Sequence, residues 1–120
     1  MPTRLNERSY AFAQDQIASG HVVLDQRDEW SEHQPSARQE NDFIEASGWD
    51  HYADWHLGID DEASEDTKAR YKYPYGDFAN VHRCGVLAAE TRAGRNKHAD
   101  IEDAAVRLRA LMDERGHSAA

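Results

Sequence analysis

The sequence predicts a mainly α, compact single domain of four to five helices, with an extended aromatic segment at residues 71–78. Two observations favour helices: apolar residues recur at intervals of three and four, and residues typical of helix starts and ends flank those stretches. The third observation is length, because 120 residues suffice for one hydrophobic core but not for two. We therefore expect one domain over 1–120, with residues 1–5 and 117–120 as frayed termini.

The first half of the chain contains two predicted helices and a short aromatic stretch. The first helix covers 6–19, where an apolar stripe is followed by Gly20, a residue suited to a left-handed helix end. The brief apolar run at 21–25 is consistent with extended chain. Ser36 and Gln39 have the spacing of a capping box, which predicts a helix over 37–47. Aromatic residues at near-helical spacing then continue the pattern over 49–57.

The second half contains an extended segment followed by two more predicted helices. The run YKYPYGDF (71–78) alternates aromatic and polar residues, but Pro74 cannot donate to a ladder, so we expect extended chain and a turn. Asn80 is a candidate cap for a helix over 81–93. The last helix has the clearest periodicity; it is expected to begin at an Asp100 cap and to end at Gly116.

Composition narrows the possible classes of protein. Cys84 is the single cysteine, which excludes an internal disulfide framework and a cysteine-rich zinc site. No run approaches the roughly 18 apolar residues of a membrane span. The first residues are charged and lack the apolar core of a secretory signal, so we expect a cytoplasmic protein with no membrane partner.

Charge is unevenly distributed along the chain. The net charge is −9, which disfavours non-specific binding of nucleic acid. Residues 1–67 contain 4 basic and 16 acidic side chains, whereas residues 68–98 contain 7 basic and 2 acidic ones. Such asymmetry often marks a contact surface. The alternative is that the acidic half folds over the basic segment and neutralises it.

The basic-aromatic segment, residues 68–98, is the most distinctive part of the sequence. Cations bind phosphates, and flat rings stack on bases or on guanidinium groups, so the segment has the composition of a surface that binds single-stranded nucleic acid. We predict a non-enzymatic binding or accessory protein whose partner is another protein or a second copy of the chain, with nucleic acid a lesser option. The predicted contact residues are Lys72, Tyr73, Tyr75, Asp77, Arg83 and Arg92.

A small metal-dependent enzyme or sensor is the alternative function. One candidate ligand set is His82 with Cys84, and the other combines Asp50, His51 and Asp54. Residues two apart on a helix point to different faces, however, so His82 and Cys84 would share a metal only at a distorted turn. No established metal or catalytic motif is present, and we therefore predict no cofactor, no metal ligand and no catalytic residue.

Cys84 also raises the possibility of a thiol nucleophile. Arg83 and His82 lie next to it in sequence and could lower its pKa. It falls on the apolar stripe of its predicted helix, however, and unpaired cysteines are among the residues most often buried. A buried thiol is the preferred interpretation.

Several runs occur together in a recognisable order: WSEHQPSARQENDFI (30–44), DWHLGID (54–60), YKYPYGDF (71–78), VHRCGVLAAETRAG (81–94) and DIEDAA (100–105). As a set, they resemble a small family of bacterial proteins across most of residues 10–112. The part over 71–105 is also similar, more weakly, to short domains in phage and prophage proteins. The resemblance implies one fold unit and an accessory role in protein assembly or nucleic-acid handling. It assigns no activity, cofactor or site residue.

Overall fold

The computed structural model describes residues 3–25 and 29–119, with the side chains of 115–119 left out. The described chain folds as one compact, mainly helical unit, as predicted, but it contains six α-helices rather than four or five. These are α1 (Glu7–Ala18), α2 (Trp30–His33), α3 (Ala37–Ser47), α4 (Trp49–Asp54), α5 (Arg83–Arg95) and α6 (Ala99–Ala119). A single 3₁₀ turn covers Lys68–Arg70.

In the described part of the chain, five short strands accompany the helices, and most of them were not predicted. They are β1 (Thr3–Leu5), β2 (Val22–Val23), β3 (His56–Asp60), β4 (Tyr71–Pro74) and β5 (Val81–His82). An antiparallel sheet has the order β1-β3-β4, and a parallel pair joins β2 to β5. The prediction of frayed residues 1–5 is therefore wrong for Thr3–Leu5, which pair with β3.

In the first half of the chain, helices α1 and α3 begin at, or within one residue of, their predicted starts. The Asn6 side chain accepts a hydrogen bond from the backbone N–H of Ser9, which caps α1. Both halves of the predicted capping box are present at α3: the Ser36 hydroxyl accepts from Gln39 N–H, and the Gln39 side chain accepts from Ser36 N–H. Gly20 has a φ of 86°, which confirms its predicted role after the first helix.

The boundaries of α4, α5 and α6 differ from the predicted ones. The near-helical stretch 49–57 is helical only to Asp54, and then Leu57 and Gly58 lie in β3 between two neighbouring strands. Helix α5 begins at Arg83, since Val81 and His82 pair with β2. Its C-terminal cap is Asn96, so the predicted stop at Gly94 lies inside the helix. Helix α6 likewise runs through Gly116, the predicted end.

The core lies between the antiparallel sheet and helices α1, α5 and α6. Its members are apolar or aromatic and almost inaccessible to solvent; the largest are Tyr52, Tyr75, Leu57, Ile101, Leu108 and Met112. The segment 71–78 is extended, as predicted, and β4 is an edge strand, which tolerates Pro74 at its end. Tyr75 follows β4 and anchors the segment because its hydroxyl donates to the Asp54 carbonyl at 2.6 Å.

Candidate metal centre between α2 and the start of α5

Four side chains suited to metal binding converge at one end of the parallel strand pair. They are Asp25, His33, His82 and Cys84, and one ligand atom from each lies within 4.8 Å of the others. We call these four residues the Asp-His-His-Cys cluster. Among the described residues it is the one group of three or more histidine, cysteine or carboxylate side chains with such geometry.

The parallel strand pair explains how the cluster forms. Val23 of β2 lies opposite His82 of β5, so Asp25, two residues after Val23, comes close to the imidazole of His82. Helix α5 begins immediately after His82, which places Cys84 in its first turn. His33 ends the short helix α2 and approaches from the other side, with its ring centroid 5.0 Å from that of His82.

The Asp25 carboxylate connects the other members of the cluster. Oδ2 of Asp25 lies 2.6 Å from Nδ1 of His33 and 2.7 Å from Nδ1 of His82. Its Oδ1 accepts a hydrogen bond from the backbone N–H of Cys84 at 2.7 Å. The Cys84 sulfur completes the cluster, with Sγ 3.7 Å from Nδ1 of His33.

A second carboxylate orients His82 from outside the cluster. Oδ2 of Asp77 lies 2.7 Å from Nε2 of His82, while Oδ1 of Asp77 accepts hydrogen bonds from the backbone N–H groups of Ala79 and Asn80. The Asp77 carboxylate is therefore fixed in position by its own loop. A carboxylate on the outer nitrogen of a ligating histidine is the usual second partner in protein metal sites.

Burial and ion pairing set the protonation of the carboxylates and of His82. Burial acts to raise the pKa of Asp25, but hydrogen bonds from His82, Cys84 and His33 outweigh it and hold the pKa at about 2. Burial likewise acts to raise the pKa of Asp77, and the hydrogen bonds from His82, Asn80 and Ala79 together lower it. For His82, burial acts to lower the pKa, and the bonds to Asp77 and Asp25 raise it.

The Cys84 thiol is buried, as predicted, with an exposed fraction of 1%. Burial raises its pKa to about 12, and the nearby Asp25 carboxylate adds to the shift. A thiol with such a pKa is protonated at neutral pH and is a poor nucleophile in the absence of a bound cation. This supports the sequence interpretation of Cys84 as a buried thiol rather than a catalytic nucleophile.

The second predicted ligand set does not come together. Asp54 is buried and its Oδ1 accepts from Nε of Arg8 at 2.8 Å, while Nδ1 of His51 is 3.9 Å from Oδ2. Asp50 is exposed. Asp54 is thus committed to an ion pair with Arg8, and the set offers no ligand geometry.

The six residues of the predicted contact surface are divided between core, ion pairs and surface. Tyr75 is fully buried and Tyr73 is 7% exposed, with its hydroxyl 2.6 Å from Nδ1 of His98. Asp77 is bonded to His82, and Arg83 donates to Oδ1 of Asp113 at 2.7 Å. The two tyrosines of the predicted contact set are therefore buried in the core and are not available as a contact surface. Lys72 and Arg92 are exposed.

Acidic side chains neutralise part of the basic-aromatic segment. This agrees with the alternative in which the acidic half of the chain folds over the segment. Lys68 pairs with Glu40 at 3.3 Å, and Arg70 lies 3.8 Å from Asp61. Both acidic partners belong to the acidic half of the chain. Arg83 instead pairs with Asp113 of α6.

Sequence reasoning singled out His82 and Cys84 but missed Asp25 and His33. The two-residue spacing argued against a shared metal on the assumption that both residues were helical. Because His82 is extended and precedes the helix, its side chain and that of Cys84 converge. Nothing local in the sequence marks Asp25, since its position depends on the pairing of β2 with β5.

No protein-family model, curated protein or solved structure matches this chain. Among the described helices, none combines the length and apolar character needed to cross a bilayer. A functional assignment therefore depends on the geometry of the molecule alone.

Proposed function

We propose that this protein is a zinc-binding domain in which the metal fastens α2 to the start of α5, with a structural or metal-sensing role. The observation that carries the proposal is the convergence of the Asp-His-His-Cys cluster within 4.8 Å. A set of one thiolate, two imidazoles and one carboxylate matches the ligand types that zinc accepts in tetrahedral sites.

The distances support a tetrahedral site with modest adjustment. For bonds of about 2.3 Å to sulfur and about 2.05 Å to nitrogen, tetrahedral geometry separates the two ligand atoms by roughly 3.5 Å. The Cys84 Sγ to His33 Nδ1 distance of 3.7 Å is close to that value. The two contacts of Asp25 Oδ2, at 2.6 and 2.7 Å, are hydrogen-bond lengths and would open by roughly 0.7 Å around a metal.

The surroundings of the cluster support the proposal in two further ways. Asp77 faces Nε2 of His82, which favours the tautomer that presents a lone pair on Nδ1. An ionised Asp25 and a Cys84 thiolate together carry two negative charges, which neutralise a divalent cation in a largely buried place. The competing explanation is a protonated His82 held between Asp25 and Asp77 as a structural ion pair.

A structural or sensing role is favoured over catalysis because four protein ligands fill a tetrahedral site, whereas catalytic zinc keeps one position open. A metal here would join residues about 50 positions apart in sequence: Asp25 and His33 from one segment, His82 and Cys84 from the other. Binding to the folded state alone would stabilise the domain in proportion to its affinity.

The test is the metal content of the untagged protein. We expect one zinc ion per chain by mass spectrometry of the elements, and tight binding when the chelated protein is titrated with zinc. Cys84→Ala and His33→Gln should each abolish stoichiometric binding, while His51→Gln, a change at an exposed histidine outside the cluster, should retain it. Far-ultraviolet circular dichroism confirms that each variant is folded. Absence of binding, or equal binding by folded Cys84→Ala, would favour the ion-pair explanation.

Contact with a protein partner through the basic-aromatic segment stays a prediction. Lys72 and Arg92 are the two members of the predicted contact set that remain exposed and, among the described residues, without a charged partner. They line a shared cavity with Tyr73, Asn96 and His98, so any partner surface is narrower than the sequence indicated.

A further inference from the structure

An open cavity of about 430 Å³ lies between α2 and α5, and its volume is in the range of small-molecule sites. Trp30 and Gln34 line one side, while Leu87 and Ala88 of α5 line the other. Cys84 is at one boundary, but the other three members of the Asp-His-His-Cys cluster do not line the cavity. We call this space the α2–α5 cavity.

Two arginines give the α2–α5 cavity a cationic side. Arg92 and Arg95 are both lining residues, and a spacing of three places them on the same face of α5. Among the described residues, no acidic side chain forms an ion pair with either, whereas neighbouring Arg83 and Arg109 are paired with Asp113 and Glu90. The two guanidinium groups therefore give the cavity positive charge beside the apolar side chains of Leu87 and Ala88.

A third feature of the α2–α5 cavity is the buried indole of Trp30 in its wall. Trp30 is 5% exposed, and its Nε1–H has no hydrogen-bond partner in the described part of the chain. Buried N–H groups are nearly always paired with protein, water or ligand. The indole is held in place by α5, where a Cβ at Gly85 would lie 2.9 Å from its Cζ3 atom.

From these three observations we infer that the α2–α5 cavity binds a small organic acid with an apolar body and a carboxylate head. The carboxylate pairs with Arg92 and Arg95, as carboxylates do with guanidinium groups, and the apolar body contacts Trp30, Leu87 and Ala88. This inference does not depend on zinc, because the two arginines and Trp30 line the cavity and do not belong to the Asp-His-His-Cys cluster.

Octanoate titrated into the chelator-treated full chain tests the inference, with octanamide as the uncharged ligand of matched shape. Calorimetry measures affinity, and two-dimensional NMR follows the three tryptophan indole N–H signals, with that of Trp30 assigned from Trp30→Phe. We expect octanoate to bind at least tenfold more tightly than octanamide and to shift the Trp30 signal most. The double change Arg92→Gln/Arg95→Gln should weaken octanoate binding at least tenfold.

Arg107→Gln is the matched control, because Arg107 is exposed on α6 and lies outside the α2–α5 cavity. Its octanoate affinity should stay within twofold of the unmodified chain. The inference is overturned if octanoate and octanamide bind equally, if neither binds, or if the double arginine variant binds as well as the control. A shift of Trp49 or Trp55 without Trp30 would also overturn it, since the ligand would then occupy another place.

Discussion

Asp77 Oδ2 lies 2.7 Å from Nε2 of His82, on the side of the ring opposite the contact with Asp25. Asp77 was predicted as a surface contact, yet its carboxylate is held by the backbone of Ala79 and Asn80 and directed at an imidazole. The contact with Asp77 therefore fixes the orientation of the His82 imidazole. In the zinc proposal, Asp77 is a positioning residue that acts through His82.

The first prediction concerns this positioning role. Asp77→Asn should lower zinc affinity by roughly 10-fold to 100-fold while leaving the stoichiometry at one, as expected for the outer partner of a ligating histidine. Competition with a chromogenic chelator measures the affinity. Asp42→Asn is the control, because Asp42 is exposed on α3. Unchanged affinity in Asp77→Asn would remove Asp77 from the site.

A second prediction tests the close approach that positions Cys84. A Cβ at Gly85 would lie 2.5 Å from the backbone oxygen of Tyr75, so Gly85→Ala requires movement of backbone. We expect a loss of at least about 2 kcal/mol in the free energy of unfolding, measured with urea.

Gly94→Ala is the matched change in the same helix. The added Cβ would meet Oε2 of Glu102 at 2.7 Å, which is the end of a flexible side chain. Helix propensity then favours alanine by up to about 1 kcal/mol, so the stability should rise or stay level. Equal destabilisation by the two changes would contradict the packing described for Gly85.

The sequence predicts the features that depend on neighbouring residues, but it does not predict those that depend on pairing between residues far apart in the chain. The capping box at Ser36 and the end of α1 before Gly20 depend on neighbouring residues, so the sequence was sufficient. The strands β1 and β3 are three and five residues long and pair across more than 50 positions. Such short segments lack a periodic pattern long enough to distinguish strand from helix.

The Asp-His-His-Cys cluster could be foreseen only in part for the same reason. His82 and Cys84 are close in sequence and were recognised, but Asp25 joins them through the two-residue pairing of β2 with β5. Tyr73 and Tyr75 were predicted as contact residues because flat rings stack on bases and on guanidinium groups. Residues two apart in extended chain face the same side, and for Tyr73 and Tyr75 that side is the core, so both are buried.

A third prediction follows from the burial of Tyr75. Its hydroxyl donates to the Asp54 carbonyl, and Tyr75→Phe leaves that carbonyl with one fewer hydrogen bond in the core. We expect a loss of about 1–2 kcal/mol in the free energy of unfolding. Thermal denaturation measures it. Tyr10→Phe, a partly buried tyrosine on α1, is the comparison and should cost less. A neutral Tyr75→Phe would contradict its role as an anchor.

A fourth prediction concerns pH. Burial lowers the pKa of His56 to about 4, while its Nδ1–H donates to the Tyr52 carbonyl. The unfolded chain therefore takes up a proton near pH 6.5 and the folded chain does not, so this residue's contribution to stability is full above that pH. It is lost as the pH falls toward 4, by about 2 kcal/mol between pH 7 and pH 5.

The change His56→Gln tests this dependence by keeping a donor and removing the titration. Urea unfolding at both pH values should show that the variant loses about 2 kcal/mol less than the unmodified chain between them. His51→Gln, at an exposed position, should keep the original difference. An unchanged pH dependence in His56→Gln would show that His56 is not the group responsible.

The most direct test of the zinc proposal is a cobalt titration of the metal-free protein followed by visible and near-ultraviolet absorption. A tetrahedral site with one thiolate predicts intense visible ligand-field bands and a sulfur-to-cobalt charge-transfer band, both saturating at one equivalent and both reversed by zinc. Weak bands typical of six-coordinate cobalt, or no charge-transfer band in a protein with Cys84 reduced, would contradict the account.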